Sequence, residues 1–122
     1  MVRVKICGIK TVEDAMVAVR AGADALGFVF WEGSVRYIPP EKAQAIVAAL
    51  PPFVTAVGLF VDAPPQQVRR TVATTGVHVV QLHEQERPRI VDILRGLRLI
   101  KALRIASDRD IGKMMLYRVE AF

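Results

Sequence analysis

Residues 55–76 read TAVGLFVDAPPQQVRRTVATTG and carry the clearest strand-and-helix pattern of the chain. An apolar, β-branched run is followed by Pro64-Pro65, by Val68 and Val72 at helical spacing, and by Gly76. Proline is favoured in the first turn of a helix, and glycine directly after its last turn. This stretch therefore predicts a buried strand followed by one helix.

The same pattern occurs five times along the chain. The predicted strands are too apolar for a sheet with one face in water, and they are Val2–Ile9, Ala25–Phe30, Thr55–Asp62, Val77–His83 and Leu97–Ile105. The helix starts are marked by Thr11, Pro39-Pro40, Pro64-Pro65, Pro88 and Ser107. Such an alternation predicts an α/β fold with a parallel sheet and right-handed crossovers, in a single domain over residues 1–122.

Composition and charge describe an ordinary globular chain. Of its 122 residues, 52% are apolar and 24% are charged, which excludes disordered and collagen-like classes. The net charge of +5 comes from scattered basic residues, so it indicates neither a nucleic-acid partner nor a membrane surface. The single cysteine cannot form an internal disulfide, and the start MVRVKICGIK lacks the apolar core of a signal peptide, so we expect a cytoplasmic protein.

Two ways of closing the sheet remain open from the pattern alone. An open, doubly wound sheet of five strands fits the length, whereas a (β/α)8 barrel needs about 200 residues or more. Length alone favours the open sheet. In both folds the ligand site lies at the carboxyl ends of the strands, so the residues found there are the functional candidates.

The first strand ends on Cys7, which shares one face with Lys5 because side chains alternate along a strand. Val4 and Ile6 fall on the other face, where we expect them to pack against a helix. A lone cysteine is often a small buried filler. Its position at a strand end, with the cation of Lys5 on the same face, favours a reactive thiolate instead.

Polar residues also follow the fourth and second predicted strands. Gln81 and His83 share a face at the end of strand four, where the histidine either binds substrate or caps the next helix. Arg36 lies in the loop after strand two and is either a solvated residue or a clamp for a carboxylate or phosphate. His78 and His83 fall on opposite faces and cannot share a metal, and the common nucleotide, zinc and serine-hydrolase motifs are absent.

Taken together, several motifs closely resemble phosphoribosylanthranilate isomerase of tryptophan biosynthesis over the whole chain. They are KICGI (5–9), GFVF (27–30) with Ser34 and RYI (36–38), VGLFV (57–61), VQLH (80–83) and IKA (100–102). This resemblance implies a (β/α)8 TIM barrel, of which the chain contains about five βα units. It also implies an Amadori rearrangement of N-(5-phosphoribosyl)anthranilate, a phosphorylated aminosugar, without any cofactor or metal.

The resemblance also implies roles for individual residues. Cys7 matches the general base that removes the C2 proton of the ring-opened Schiff base. Arg36 matches the arginine that contacts the anthranilate part, and Gln81 and His83 match substrate-facing positions. Lys5 would support Cys7 from beneath on the inner face.

The sequence also departs from the family pattern. Glu84 and Gln85 follow VQLH where the family has a glycine and an acidic residue. The family's general acid, an aspartate at the end of strand six, and the phosphate-binding strands seven and eight lie beyond residue 122. We therefore expect a truncated barrel that is inactive alone and that self-associates or binds a complementing carboxyl-terminal fragment.

Two alternatives to an isomerase remain. One is a non-catalytic half-barrel that serves as a binding or assembly module. The other is an open-sheet domain acting on a different phosphorylated metabolite, which is disfavoured because no loop supplies a phosphate cradle.

Overall fold

The strands lie side by side in the order in which they occur in the chain. A computed structural model describes residues 1–83 and 85–122. In that part, a parallel sheet has the order β1-β2-β3-β4-β5. The elements are β1 (Lys5–Cys7), α1 (Val12–Arg20), β2 (Ala25–Val29), α2 (Pro40–Ala48), β3 (Thr55–Phe60), α3 (Pro65–Thr75), β4 (Val79–His83), α4 (Pro88–Ile93), β5 (Leu99–Ala102), α5 (Asp108–Lys113) and a 3₁₀ turn (Met114–Leu116).

The sequential strand order decides between the two closures that the pattern left open. A doubly wound sheet reverses its strand order at a switch point and carries helices on both faces. Here each crossover joins neighbouring parallel strands, so right-handed connections place every helix on the same face. The structure therefore consists of βα units of the barrel type.

A hydrogen bond across the helix-free face shows how strongly the sheet curves. The Nζ atom of Lys5 on β1 donates to Oε1 of Gln81 on β4. Three strand intervals along a flat sheet would separate these strands by roughly 14 Å. Side chains standing perpendicular to a flat sheet would not meet over that distance, so the sheet curls and this face is concave.

The helix-covered face of the sheet forms the apolar core. Leu26, Phe28, Phe60 and Val80 are at most 1% exposed, and they pack against residues of the helices such as Val68. Leu59 and the other side chains that alternate with this set point to the concave face. The register places Cys7 beside Gly27 on β2, Gly27 beside Val57 on β3, and Leu59 beside Gln81 on β4.

The prediction for the outer face of β1 was wrong. Val4 and Ile6 are 44% and 42% exposed rather than buried beneath a helix, and β1 covers only Lys5–Cys7. Among the described strands β1 pairs with β2 alone, so it lies at the edge of the sheet. Helices cover its outer face less completely than the outer faces of the central strands. The start of β1 is instead held by Asp24, which accepts from the Val4 amide at 2.7 Å and binds Arg3 at 3.0 Å. These two bonds lower the pKa of Asp24.

The predicted helix starts are confirmed. Thr11 Oγ1 accepts from the amide of Asp14 at 3.1 Å, and prolines occupy the first turns of α2, α3 and α4. Gly76 follows α3 with φ of 74°, the left-handed conformation that glycine adopts without strain. No helix among residues 1–83 and 85–122 is long and apolar enough to cross a membrane.

The last residues extend the sheet beyond β5. The amide of Lys101 donates to the Ala121 carbonyl at 3.0 Å, and the amide of Glu120 donates to the Leu99 carbonyl at 2.9 Å. Ile100 and Ala121 pair in parallel. This segment therefore occupies the position of a sixth parallel strand.

We expect Val68→Ala to destabilise the protein by about 2 kcal/mol, because it removes two buried methyl groups from the core. Val68 is fully buried, whereas Val17 on α1 is 57% exposed. Val17→Ala is the matched control: it makes the same change in helix propensity without the loss of burial, and should change stability by less than about 0.5 kcal/mol. Urea denaturation measures both, and equal effects would contradict the assignment of the core.

Candidate active site

Cys7 ends β1 at the carboxyl end of the sheet, where its side chain is half-buried on the concave face. Its neighbour in the register is Gly27, and a Cβ atom at position 27 would lie 2.8 Å from the Cys7 Sγ atom. Real Cβ atoms do not approach another atom so closely. The thiol therefore occupies space that is available only because residue 27 is glycine.

Arg36, in the loop after β2, lies against Gly8, the residue that follows Cys7 at the end of β1. A Cβ atom at Gly8 would lie 2.5 Å from Cδ and 3.3 Å from Nη1 of Arg36, so the arginine stem covers this glycine. Two hydrogen bonds hold the arginine loop: Ser34 Oγ accepts from the Arg36 amide at 3.1 Å, and Lys10 Nζ donates to the Val35 carbonyl at 3.2 Å. The arrangement places an exposed arginine side chain against the residue that follows Cys7 in the chain.

Lys5 and Gln81 lie beneath Cys7 in the mouth, defined as the concave face at the carboxyl ends of β1–β5. Both side chains are half-buried on the concave face, where the hydrogen bond between them joins β1 to β4. The structure therefore directs the Lys5 ammonium to Gln81 and fixes the orientation of that amide. Lys5 lies two residues before Cys7 on the same face of β1, as the alternation of side chains predicted.

His83 lies on the other side of the mouth. It ends β4 beside Ala102 of β5 and is exposed. A cleft of about 710 Å³ opens there, and its lining includes His83, Gln85, Ala102, Leu103, Arg104, Asp110, Lys113 and Tyr117. Cys7 and Arg36 are not among these lining residues, so the structure places His83 apart from both. Glu84, where the sequence departs from the family pattern, lies outside the described residues.

An ion pair on α5 forms part of the lining of the His83 cleft. Lys113 binds Asp110 at 2.6 Å, and the Ala106 and Ser107 amides each donate to the same carboxylate at 3.0 Å. The Lys113 contact and these backbone bonds lower the pKa of Asp110 to about 2, and the carboxylate in turn raises the pKa of Lys113. Asp110 is therefore a structural anion at the start of α5.

Two ionic residues of this region escaped the sequence analysis. Glu86 and Lys101 form an ion pair at 2.6 Å whose side chains are 2% and 0% exposed. The one available signal was a lysine inside the apolar strand LIKA, because a charged residue in such a strand requires a buried partner. Among the described residues, no group of three or more His, Cys, Asp or Glu side chains could hold a metal ion.

Comparison with known families agrees with this geometry. Residues 4–120 match the family model described as N-(5'phosphoribosyl)anthranilate (PRA) isomerase. The chain belongs to this family. It is 52% identical over 122 residues to the N-(5'-phosphoribosyl)anthranilate isomerase of Geobacter sp. (strain M21). The matched region covers all of this chain and 59% of that relative.

Solved structures of the family superimpose closely on the chain. A phosphoribosyl anthranilate isomerase in complex with reduced 1-(o-carboxyphenylamino)-1-deoxyribulose 5-phosphate gives a TM-score of 0.92 at 41% identity, over 100% of this chain and 66% of that one. Monomers generated from the dimeric Thermotoga maritima enzyme give 0.93 at 38% identity, over 99% and 63%. The fold is therefore of the TIM-barrel type, and the chain spans about three fifths of the length of these relatives.

We expect Gly27→Ala to destabilise the protein by about 1–3 kcal/mol, because the new methyl group collides with the Cys7 thiol. Adding Cys7→Ala should recover part of this loss, and a double-mutant cycle in urea measures the coupling. Gly112→Ala is the control: a Cβ at this helical position meets nothing within 4 Å, so it should stabilise the protein slightly. Additive effects of Gly27→Ala and Cys7→Ala would contradict the contact.

Proposed function

We propose that this chain contributes the general base of an isomerase that performs the Amadori rearrangement of N-(5-phosphoribosyl)anthranilate. The product is 1-(2-carboxyphenylamino)-1-deoxyribulose 5-phosphate, an intermediate of tryptophan biosynthesis. The observation that carries this proposal is the seating of the Cys7 thiol over Gly27 at the carboxyl end of the sheet, with the Arg36 side chain covering Gly8, the next residue in the chain. Membership of the isomerase family supports the same conclusion.

The chemistry needs one base and one acid. Protonation of the ribose ring oxygen breaks its bond to C1 and leaves a Schiff base between C1 and the anthranilate nitrogen. The thiolate of Cys7 then takes the proton from C2, and the electron pair left behind forms the C1–C2 double bond of an enolamine. Loss of the C2 hydroxyl proton and protonation of C1 give the ketone. The resemblance to the family implies that the acid is an aspartate on strand six, beyond residue 122.

The remaining candidates have binding roles in this proposal. The planar guanidinium of Arg36 suits the carboxylate of the anthranilate ring, because it donates two parallel hydrogen bonds. Gln81, oriented by Lys5, faces the sugar from beneath Cys7, and His83 faces it from the opposite side of the mouth. The net charge of +5 favours the approach of a substrate that carries a phosphate and a carboxylate. A cytoplasmic location fits the single, unpaired cysteine.

A chimera tests the role of Cys7. Residues 1–122 are followed by the remaining carboxyl-terminal part of the Geobacter sp. (strain M21) relative, so that the barrel has its full length. We expect turnover of N-(5-phosphoribosyl)anthranilate by this chimera and a loss of about 10²–10⁴-fold in kcat for Cys7→Ala, because the general base is removed. Steady-state fluorescence of the anthranilate group measures the reaction.

Two controls make the result decisive. Ile6→Val, at the neighbouring position on the opposite face of β1, should change kcat by less than about twofold, because the loss of one methylene from this 42% exposed side chain leaves the mouth intact. The 122-residue chain alone should show no turnover, since it lacks an acid on strand six. An inactive parent chimera would refute the proposed function, and full activity of Cys7→Ala would refute the assignment of the base.

We further propose that the protein self-associates, as the dimeric Thermotoga maritima relative does. The connection from α2 to β3 carries Phe53, which is 96% exposed, at the end of the sheet opposite the mouth. Contact between copies at this point would bury an aromatic ring and leave both mouths open.

We expect Phe53→Ser to shift the chimera towards the monomer in sedimentation velocity, with a dissociation constant raised about tenfold or more, because a buried aromatic anchor is lost. Val35→Ser, at a residue that is 92% exposed near the mouth, is the matched control and should leave the association unchanged. A monomeric parent, or equal behaviour of the two variants, would exclude this interface.

A further inference from the structure

The ion pair of Glu86 and Lys101 lies on the helix side of the sheet, away from the thiol. Lys101 is the third residue of β5, and Glu86 lies in the connection from β4 to α4. Their charged atoms are 2.6 Å apart, and both side chains are almost completely removed from water. Neither residue has a role in the chemistry described above.

Stability alone is a weak reason for such a pair. Transfer of two charges out of water costs several kcal/mol for each ion, and well-packed apolar residues often serve a core equally well. A buried pair instead fixes geometry, because its atoms must remain in contact to offset the desolvation.

The carboxylate of Glu86 joins two strand ends at once. One oxygen accepts from Lys101 on β5, and the other accepts from the backbone amide of Asp62 at 3.0 Å, two residues after the end of β3. Asp62 has φ of 46°, the left-handed conformation, which costs free energy in a residue other than glycine. The bond to Glu86 holds this strained turn in place.

The backbone of Glu86 is anchored as well. Its carbonyl accepts from the Tyr117 hydroxyl at 2.9 Å, and the Tyr117 ring lies 5.6 Å from the Lys101 Nζ atom. Burial, and then the negative charge of Glu86, raise the pKa of Tyr117, so the hydroxyl stays protonated and continues to donate. Glu86 therefore connects the turn after β3, the end of β5 and the segment that follows α5.

We propose that Glu86 is a positioning residue, which acts through the Asp62 amide to set the loops after β3 and β4 and thereby the side of the mouth that holds His83. This inference rests on the proposed isomerase function. Glu86 follows His83 by three residues, so its anchoring fixes where the chain runs after the histidine. The effect should fall on substrate binding, since the thiol on β1 is remote from this network.

Two double variants of the chimera distinguish the effect of the hydrogen-bond acceptor at residue 86 from the effect of the charges on Glu86 and Lys101. Glu86→Gln with Lys101→Met removes both charges and keeps an oxygen that can accept from the Asp62 amide. Glu86→Met with Lys101→Met removes both charges and the acceptor. Asp92→Asn is the control for loss of an ion pair, because Asp92 and Arg95 form an exposed pair at 3.8 Å on neighbouring turns.

The acceptor predicts which variant fails. In the variant without an acceptor we expect KM to rise about tenfold, with kcat changed less than about threefold, because misplaced binding groups weaken substrate capture. Hydrogen exchange of the Asp62 amide, followed by NMR, should accelerate about tenfold or more in the same protein. The Gln/Met variant and Asp92→Asn should retain KM within about twofold of the parent, and both should retain protection of this amide.

A milder variant covers the case in which the apolar pair does not fold. Tyr117→Phe removes only the hydroxyl that anchors the Glu86 carbonyl, and should raise KM about threefold and accelerate exchange of the Asp62 amide. Equal KM values in the two double variants, or unchanged KM and exchange in Tyr117→Phe, would overturn the inference. If the parent chimera has no turnover, the proposed function fails by itself, and amide exchange alone decides whether Glu86 positions the Asp62 turn.

Discussion

The hydrogen bond from Lys5 to Gln81 spans the concave face of a sheet whose crossovers all pass over the other face. That one-sided arrangement is the constraint on which the rest of the structure depends. Because each helix packs on the same side, the helix layer occupies the outer circumference and the strands must curve inward. Polar side chains that a flat sheet would keep apart then face one another across a short distance. The mouth of the sheet owes its chemistry to this curvature.

Most of the fold could be predicted from local sequence signals. Pro65 and Gly76 fixed the limits of α3, and Thr11 fixed the start of α1, because these residues act on the backbone at their own positions. The choice between an open sheet and a barrel could not be made in this way. It depends on whether strand order reverses, which is a property of long-range pairing and leaves no local signal. Only resemblance to a known family pointed to the barrel before the strand order was known.

The candidate site shows the same division between local and long-range information. Cys7, Arg36 and His83 could be named because polar groups at the ends of apolar strands are conspicuous. Their grouping could not be predicted: the structure places Arg36 over Gly8, the residue that follows Cys7, and His83 in a separate cleft. The exposure of Ile6 was missed because helical cover depends on which elements flank a strand. Glu86 was missed because its partners, Lys101 on β5 and the Asp62 amide after β3, are distant from it in the sequence.

The contact between Cys7 and Gly27 has a consequence for how such sequences can diverge. A side chain at residue 27 would meet not only the sulfur of Cys7 at 2.8 Å but also its Cα and Cβ atoms at 3.1 and 3.2 Å, so the close pairing of the two strands also restricts this position to glycine. Substitutions at the two positions, twenty residues apart in the chain and adjacent in the sheet, therefore act on one shared space. A change at residue 27 reaches the thiol without any change to residue 7 itself.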